Sequence, residues 1–338
     1  MQVFDTIIIG AGPGGLSCAA TLAGLGQDVL VLERNSRVGP KVCAGGVPKS
    51  SFTGEVPEKI IERSFNKHCI LSNWQKVTIS SAAPIIYTVS REKLGQWMLE
   101  QALAAGATIQ TRSPVVKITS ASVITKEGRF GYRHLVGADG SSSIVRRHLG
   151  IATSHTGTGI NYQVPGNFDN LEWHLNTSLF HNGYAWVFPY KGSASIGAYA
   201  CNTLYQPRVL LQKMHQWAQK YGIDLNQIKP RAALINYDYR GWRFGNTFLV
   251  GDAAGLASGL TGEGIYPAIL SGKTVAHVIM NDRYDCSALE RLIRKQQIHR
   301  QMLGLTSQNK LFSKLLLEFL LFWLRPGMVP YRALEMGD

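Results

Sequence analysis

The chain has 338 residues, 45% of them apolar and 17% charged, with a formal net charge of +13. That length and balance describe a folded protein with one large or two medium cores and exclude a disordered chain. A basic surplus of this size suits anionic partners such as phosphorylated ligands or an acidic membrane surface. Nucleic acid is set aside, because zinc-finger spacing, basic repeats and RNP-like aromatic motifs are all missing.

The five cysteines, Cys18, Cys43, Cys69, Cys201 and Cys286, are scattered without a C-x-x-C pair. They indicate neither a disulfide framework nor a zinc site, and read as thiols of a reducing, cytoplasmic compartment. The opening "FDTIIIGAG" carries an acid where a signal peptide has its basic region. Apolar runs fall short of the roughly 18 residues that span a bilayer.

"DTIIIGAGPGGLSCAATLAGLGQDVLVLER" predicts strand, turn, helix and strand. Thr6 to Ile9 is a β-branched run suited to a buried parallel strand. Gly10, Gly12 and Gly15, with Gly14 between them, spell G-x-G-x-x-G. Gly10 permits a tight turn, Gly12 lets backbone approach a pyrophosphate on the helix amides, and Gly15 lets helix pack on strand. The second strand closes on Glu33, where an acid accepts from a ribose diol, and Arg34 follows. This fingerprint serves NAD or FAD alike.

Further along, "KVCAGGVP" (41–48) is neither a regular helix nor a strand. Arg91 opens a helical pattern, and "VVKITSASVITKEGRFGYRHLVGADG" reads as a β-meander running into Asp139. In "YAWVFP", Tyr184, Trp186 and Phe188 recur at period two and share one strand face, with Pro189 next. "PRVLLQKMHQWAQKYG" is an amphipathic helix. "TFLVGDAAGLASGLTGEGIYPA" is a strand followed by Gly251 and Asp252 at a second helix opening, then Gly262, Gly264 and Ile265.

The fingerprint, the Asp139 motif and the Asp252 motif, in this order, resemble the p-hydroxybenzoate-hydroxylase-like superfamily of FAD enzymes. "KVCAGG", "GYAWVFPYKG" and "TGEGI" further resemble the geranylgeranyl reductase family, with Ala44 standing where plant members have glycine. The resemblance implies an α/β fold: a Rossmann-like FAD-binding domain with parallel sheet and β-meander (1–55, 88–152, 240–295), an α+β substrate domain with antiparallel sheet (56–87, 153–239), and a C-terminal helical segment (296–338). It implies FAD held by Gly10, Gly12, Gly14, Gly15, Glu33, Arg34, Lys41, Arg91, Asp139, Gly251, Asp252, Gly262, Gly264 and Ile265. An acid at the position of Asp252 accepts from ribityl hydroxyls, and the helix start behind it favours charge on a reduced flavin.

Cys43, Gly45 and Gly46 would lie against the flavin ring, the glycines tolerating positive φ. Two roles are open to Cys43: with Lys41 lowering its pKa it delivers a proton, or it packs as a small apolar residue. Tyr184, Trp186, Phe188 and Pro189 would floor an apolar substrate cavity. The implied activity is hydride transfer from reduced flavin to a C=C bond of a prenyl lipid, with NAD(P)H or a reduced redox protein as donor. Reduction of a quinone or corrinoid, or monooxygenation of an aromatic, are the alternatives on this fold. The hydroxylase pattern of histidine and paired prolines after the Asp motif is missing.

The tail "NKLFSKLLLEFLLFWLRPGMVPYR" has an apolar run, Leu315 to Leu324, broken by Glu318 and flanked by Lys310, Lys314 and Arg325. It suits either a core-packed helix or a helix lying on an anionic membrane surface.

Overall fold

A computed structural model describes residues 1–51, 57–325 and 335–337. The boundaries drawn above near 55–56, and the part of the tail from 326 to 334, lie outside the described residues.

The strand Gln2–Ile9 lies at the centre of an eight-stranded sheet. It pairs in parallel with Val29–Leu32 on one side and Arg129–Gly137 on the other, so that Ile7 faces both Leu30 and Leu135. Thr108–Gln110 extends one edge and Thr247–Leu249 the other, both parallel. Successive side chains of a strand point to opposite faces. Ile8 therefore packs with the helices Pro13–Gly24 and Ile265–Met280, while Ile7 and Ile9 pack with Ser287–Gln308. The predicted meander is short: Lys117–Ile118 and Ser122–Ile124 run antiparallel against Arg129–Gly137. The first strand begins earlier than its β-branched run, because Gln2 to Phe4 find partners in Phe130 to Tyr132.

A seven-stranded sheet forms the second layer system, ordered Arg231–Asn236, Thr156–Pro165, Ser193–Cys201, Tyr184–Tyr190, Glu172–His174, Lys67–Leu71 and Lys76–Ser80. One of its faces is covered by the amphipathic helix Pro207–Lys220 through Leu210, Met214 and Trp217. Tyr162 and Phe180 belong to that covered face. The opposite face carries Trp173, Tyr184, Trp186, Phe188 and Tyr199. A small three-stranded sheet, of Gly46–Pro48, Ile86–Val89 and Ile61–Phe65, bridges the two large ones. It catches the end of the cysteine loop, whose Gly45 carbonyl accepts the Val89 amide at 2.9 Å. The described C-terminus adds the helices Ser287–Gln308 and Lys310–Leu324. All five cysteines are free thiols.

Candidate active site

The two large sheets enclose a cavity of about 820 Å³. It brings together residues from every motif singled out in the sequence: Gly10, Gly12, Gly14, Glu33, Arg34, Lys41, Cys43, Gly46, Arg91, Asp139, Tyr184, Trp186, Phe188, Gly251, Asp252, Gly262, Gly264 and Ile265 all line it. Gly15, Gly45 and Pro189 do not. Gly15 serves packing, since a Cβ there would stand 2.0 Å from the Gly10 carbonyl oxygen. Pro189 turns away, and its carbonyl accepts the Thr88 hydroxyl at 2.8 Å.

At the first turn, Gly10 has φ +103° and a Cβ there would lie 2.5 Å from the Ala138 carbonyl oxygen, so strand closeness itself demands glycine. Gly12 is different. Its φ of −80° suits any residue, and the nearest protein atom to an added Cβ is 4.0 Å away. No packing partner explains this glycine; open cavity does. Behind it the helix Pro13–Gly24 starts with proline and has no side-chain cap, leaving amides free for an anion. Glu33 accepts the Ala11 amide at 2.9 Å and the Asn35 amide and side chain at 2.8 and 2.7 Å. A carboxylate has about four acceptor positions, so one remains for a hydroxyl.

Arg91 opens the helix Arg91–Ala104, whose cap is Ser90. Its Nη1 is buried and, among the described residues, has no hydrogen-bond partner. A buried unpaired guanidinium nitrogen is costly, and a ligand acceptor in the cavity would satisfy it.

Lys41 donates to Asp252 at 3.2 Å, and Ser141 donates to the same oxygen at 3.0 Å. The carboxylate that holds the Lys41 ammonium offsets its charge. Asp139 is likewise engaged, its oxygens accepting the Ser143 hydroxyl and the amides of Ile144 and Val145 at a helix start. Burial pushes its pKa up against these bonds.

The cysteine loop lies flat on the aromatic strand. A Cβ at Gly45, which has φ +78°, would sit 1.6 Å from the Tyr190 hydroxyl, and one at Gly46 would sit 2.4 Å from the Phe188 ring. Larger residues would lift the loop off Tyr184–Tyr190. Tyr190 holds it by donating toward the carbonyls of Ala44 and Val89 at 3.2 and 3.1 Å. The Cys43 sulfur accepts the Gly45 amide at 3.4 Å, and the Cys43 carbonyl accepts from Asn161. Asn161 continues through Ser195 to the Trp186 indole, at 2.8 and 3.0 Å. The loop and the aromatic wall are thus one hydrogen-bonded unit. On that wall Tyr184 stands 5.5 Å from Trp173, 6.0 Å from Trp186 and 5.8 Å from Tyr199, centroid to centroid. Tyr184 donates to the Thr261 carbonyl and Tyr199 to that of Gly259 at 2.7 Å, which pins the Gly262–Gly264 segment against the cavity.

Glu263, inside "TGEGI", is a site residue that the motif's glycines do not announce. It lines the cavity. Its carboxylate accepts the Met336 amide at 2.8 Å and the Ser51 hydroxyl at 3.3 Å. Burial raises its pKa to about 7, with the neighbouring Glu335 adding to the rise. An acid between two glycines before an uncapped helix start was the available signal. A folded-state pKa above the unfolded 4.5 means that the fold favours the protonated form. The associated stability is full below the unfolded value and is lost as pH rises through the folded one. Flavin-stripped protein is therefore expected to lose up to about 1.4 kcal/mol of stability per pH unit between these two values through Glu263, and Glu263→Gln to remove that component. Melting temperatures of both proteins against pH check this; parallel profiles would refute it.

Open space at Gly12, uncapped helix starts and the unpaired Arg91 nitrogen fit a dinucleotide flavin. The comparisons agree. Residues 3–279 match the FAD binding domain family. An uncharacterized protein of Methanosarcina barkeri is 29% identical over 88% of this chain and 81% of its own. The digeranylgeranylglycerophospholipid reductase 2 of Methanothermobacter thermautotrophicus is 27% identical over 85% of this chain and 82% of its own. A geranylgeranyl bacteriochlorophyll reductase-like protein of Thermoplasma acidophilum has the same fold, with a TM-score of 0.80 at 20% identity over 94% of this chain and 91% of its own. The chain belongs to the FAD binding domain family, as a flavin-dependent oxidoreductase whose relatives include geranylgeranyl-type reductases.

Proposed function

We propose that this enzyme reduces a C=C bond of a prenyl-type lipid. What supports the reading is a single arrangement: the aromatic wall of Trp173, Tyr184, Trp186, Phe188 and Tyr199 closes the same cavity that holds the Gly12 turn and Arg91. An apolar wall with few polar groups suits an isoprenoid chain. The relatives' reductase names agree with it.

Bound FAD supplies the hydride, and NAD(P)H or a reduced redox protein restores it. The chain's own residues do the rest. The helix start behind Gly12 would hold the pyrophosphate, Glu33 would accept from a ribose hydroxyl, and Arg91 would donate to an anionic or carbonyl oxygen. Asp252, fixed by Lys41 and Ser141, would accept from the ribityl hydroxyls. The aromatic rings exclude water and orient the alkene. Cys43 stands on the cavity wall to give the proton that completes the saturated bond. Hydride and proton add across one C=C, so the product carries two more hydrogens.

The test is anaerobic: protein reduced with dithionite is mixed with a geranylgeranyl glycerolipid. Return of the oxidised flavin spectrum, with a product two hydrogens heavier by mass spectrometry, is expected. Reoxidation by a quinone or corrinoid alone, with the prenyl lipid unchanged, would overturn the reading in favour of another acceptor.

A further inference from the structure

We infer that the outer face of the helix Lys310–Leu324 is a docking surface for an anionic lipid membrane. The helix is turned with Ser313 and Glu318 inward. Glu318, its one acid, is buried and accepts from the Ser72 hydroxyl at 2.8 Å, the Trp74 amide at 3.2 Å and the Gln75 side chain at 2.8 Å. Ser313, Leu321 and Leu324 are buried with it. The opposite side presents Leu311, Phe312, Leu315, Phe319 and Phe322 to solvent, with Leu311 64%, Phe319 60% and Phe322 56% exposed. At about 100° per residue these five fall within one arc of the helix. Ordinary amphipathic packing would bury such an arc. Here the Glu318 bonds and the inward leucines fix the helix in the reverse sense, so the apolar arc is a built surface.

Charge selects the occupant. The Glu318 carboxylate is buried in its hydrogen bonds, and cations stand on the same flank of this face, Lys310 among them with its ammonium donating to the Ser178 carbonyl at 2.9 Å. Lys310 and Lys314 lie on the helix, Arg325 ends it, and exposed Lys76 lies beside Arg325, whose guanidinium donates to the Lys76 carbonyl. The Lys314 ammonium sits 4.0 Å from the centroid of the Trp74 ring, and Trp74 is itself 62% exposed. A tryptophan beside a lysine at the edge of an apolar face suits the headgroup level of a bilayer. A second protein with an acidic rim would meet the same cations, but the chain's own +13 charge opposes pairing with another copy. Among the described residues no helix is long and apolar enough to cross a membrane, so the face lies on the bilayer. The surface has a direct link to the cavity: Leu321 and Leu324 pack in one cluster with Trp173, which also lines the cavity wall. Docking would bring that wall to the lipid surface. The inference does not depend on which acceptor the enzyme reduces.

The experiment is cosedimentation of the FAD-loaded protein with phosphatidylglycerol vesicles and with phosphatidylcholine vesicles. Binding to phosphatidylglycerol is expected, weakened by added salt. The exposed-residue variant Leu315→Ser/Phe319→Ser/Phe322→Ser should keep its FAD content and lose about tenfold or more of that binding. Lys310→Gln/Lys314→Gln should lower binding to phosphatidylglycerol while leaving phosphatidylcholine unaffected. Wild-type binding by the apolar variant would overturn the inference. So would a wild-type protein that ignores both vesicles but forms a dimer that the apolar variant loses.

Discussion

Gly12→Val is expected to yield a folded protein without FAD. The reason is the contrast between neighbouring glycines. A side chain at Gly10 or Gly15 would drive into backbone at 2.5 or 2.0 Å, so those variants would damage the fold itself. At Gly12 the backbone is extended, with φ −80° and ψ 179°, and the added Cβ meets no protein atom within van der Waals distance. Valine tolerates that conformation well. Its methyl groups would project into the cavity, where the uncapped amides of Pro13–Gly24 face an anion. Losing one or two charge-assisted hydrogen bonds there, at about 1.5–3 kcal/mol each, weakens binding by roughly 10–10⁴-fold. Flavin absorbance per protein after gel filtration, with a thermal melt of the flavin-stripped wild type as reference, is the measurement. Stoichiometric FAD in a normally folded variant would move the pyrophosphate elsewhere in the cavity.

Cys43→Ala is expected to slow reduction of the acceptor by about 10²–10⁴-fold while leaving FAD binding and flavin reduction by the donor close to wild type. A proton donor acts only when the acceptor is reduced, so only that half-reaction should suffer. Structure favours a clean substitution. Among the described residues the sulfur makes one weak hydrogen bond, to the Gly45 amide, while the loop is held by Tyr190, Asn161 and the strand pairing of Gly46 with Thr88. None of these needs the thiol. Cys43→Ser keeps the size and raises the pKa far above that of a thiol, so it should remain slow if proton transfer matters. Rapid-mixing absorbance separates the two half-reactions. Wild-type reoxidation in both variants would make Cys43 a packing residue. The proton would then come from another group on the wall, and Glu263, poised near neutral pH, is the one to replace next.

Local chemistry made much of this protein legible from its residues alone. The βαβ unit of residues 2–32 was readable because glycine spacing, helix pattern and β-branched strands act over short range. Tyr184, Trp186 and Phe188 share a face because strand periodicity requires it. Other features depended on long-range contacts. Lys41 meets Asp252, 211 residues away in the chain. Gly45 is glycine because of Tyr190, and Gly15 because of Gly10, which only the packed fold reveals. The Glu263 pKa is raised to about 7 by burial, with Glu335 adding to the rise against the hydrogen bonds from Met336 and Ser51, residues drawn from both ends of the chain. The tail helix shows the division most clearly. Its sequence fits either a core or a membrane surface, since it is apolar nearly all round. Which side faces out was decided by Glu318 finding Ser72, Trp74 and Gln75, since a buried carboxylate goes where it can be hydrogen-bonded.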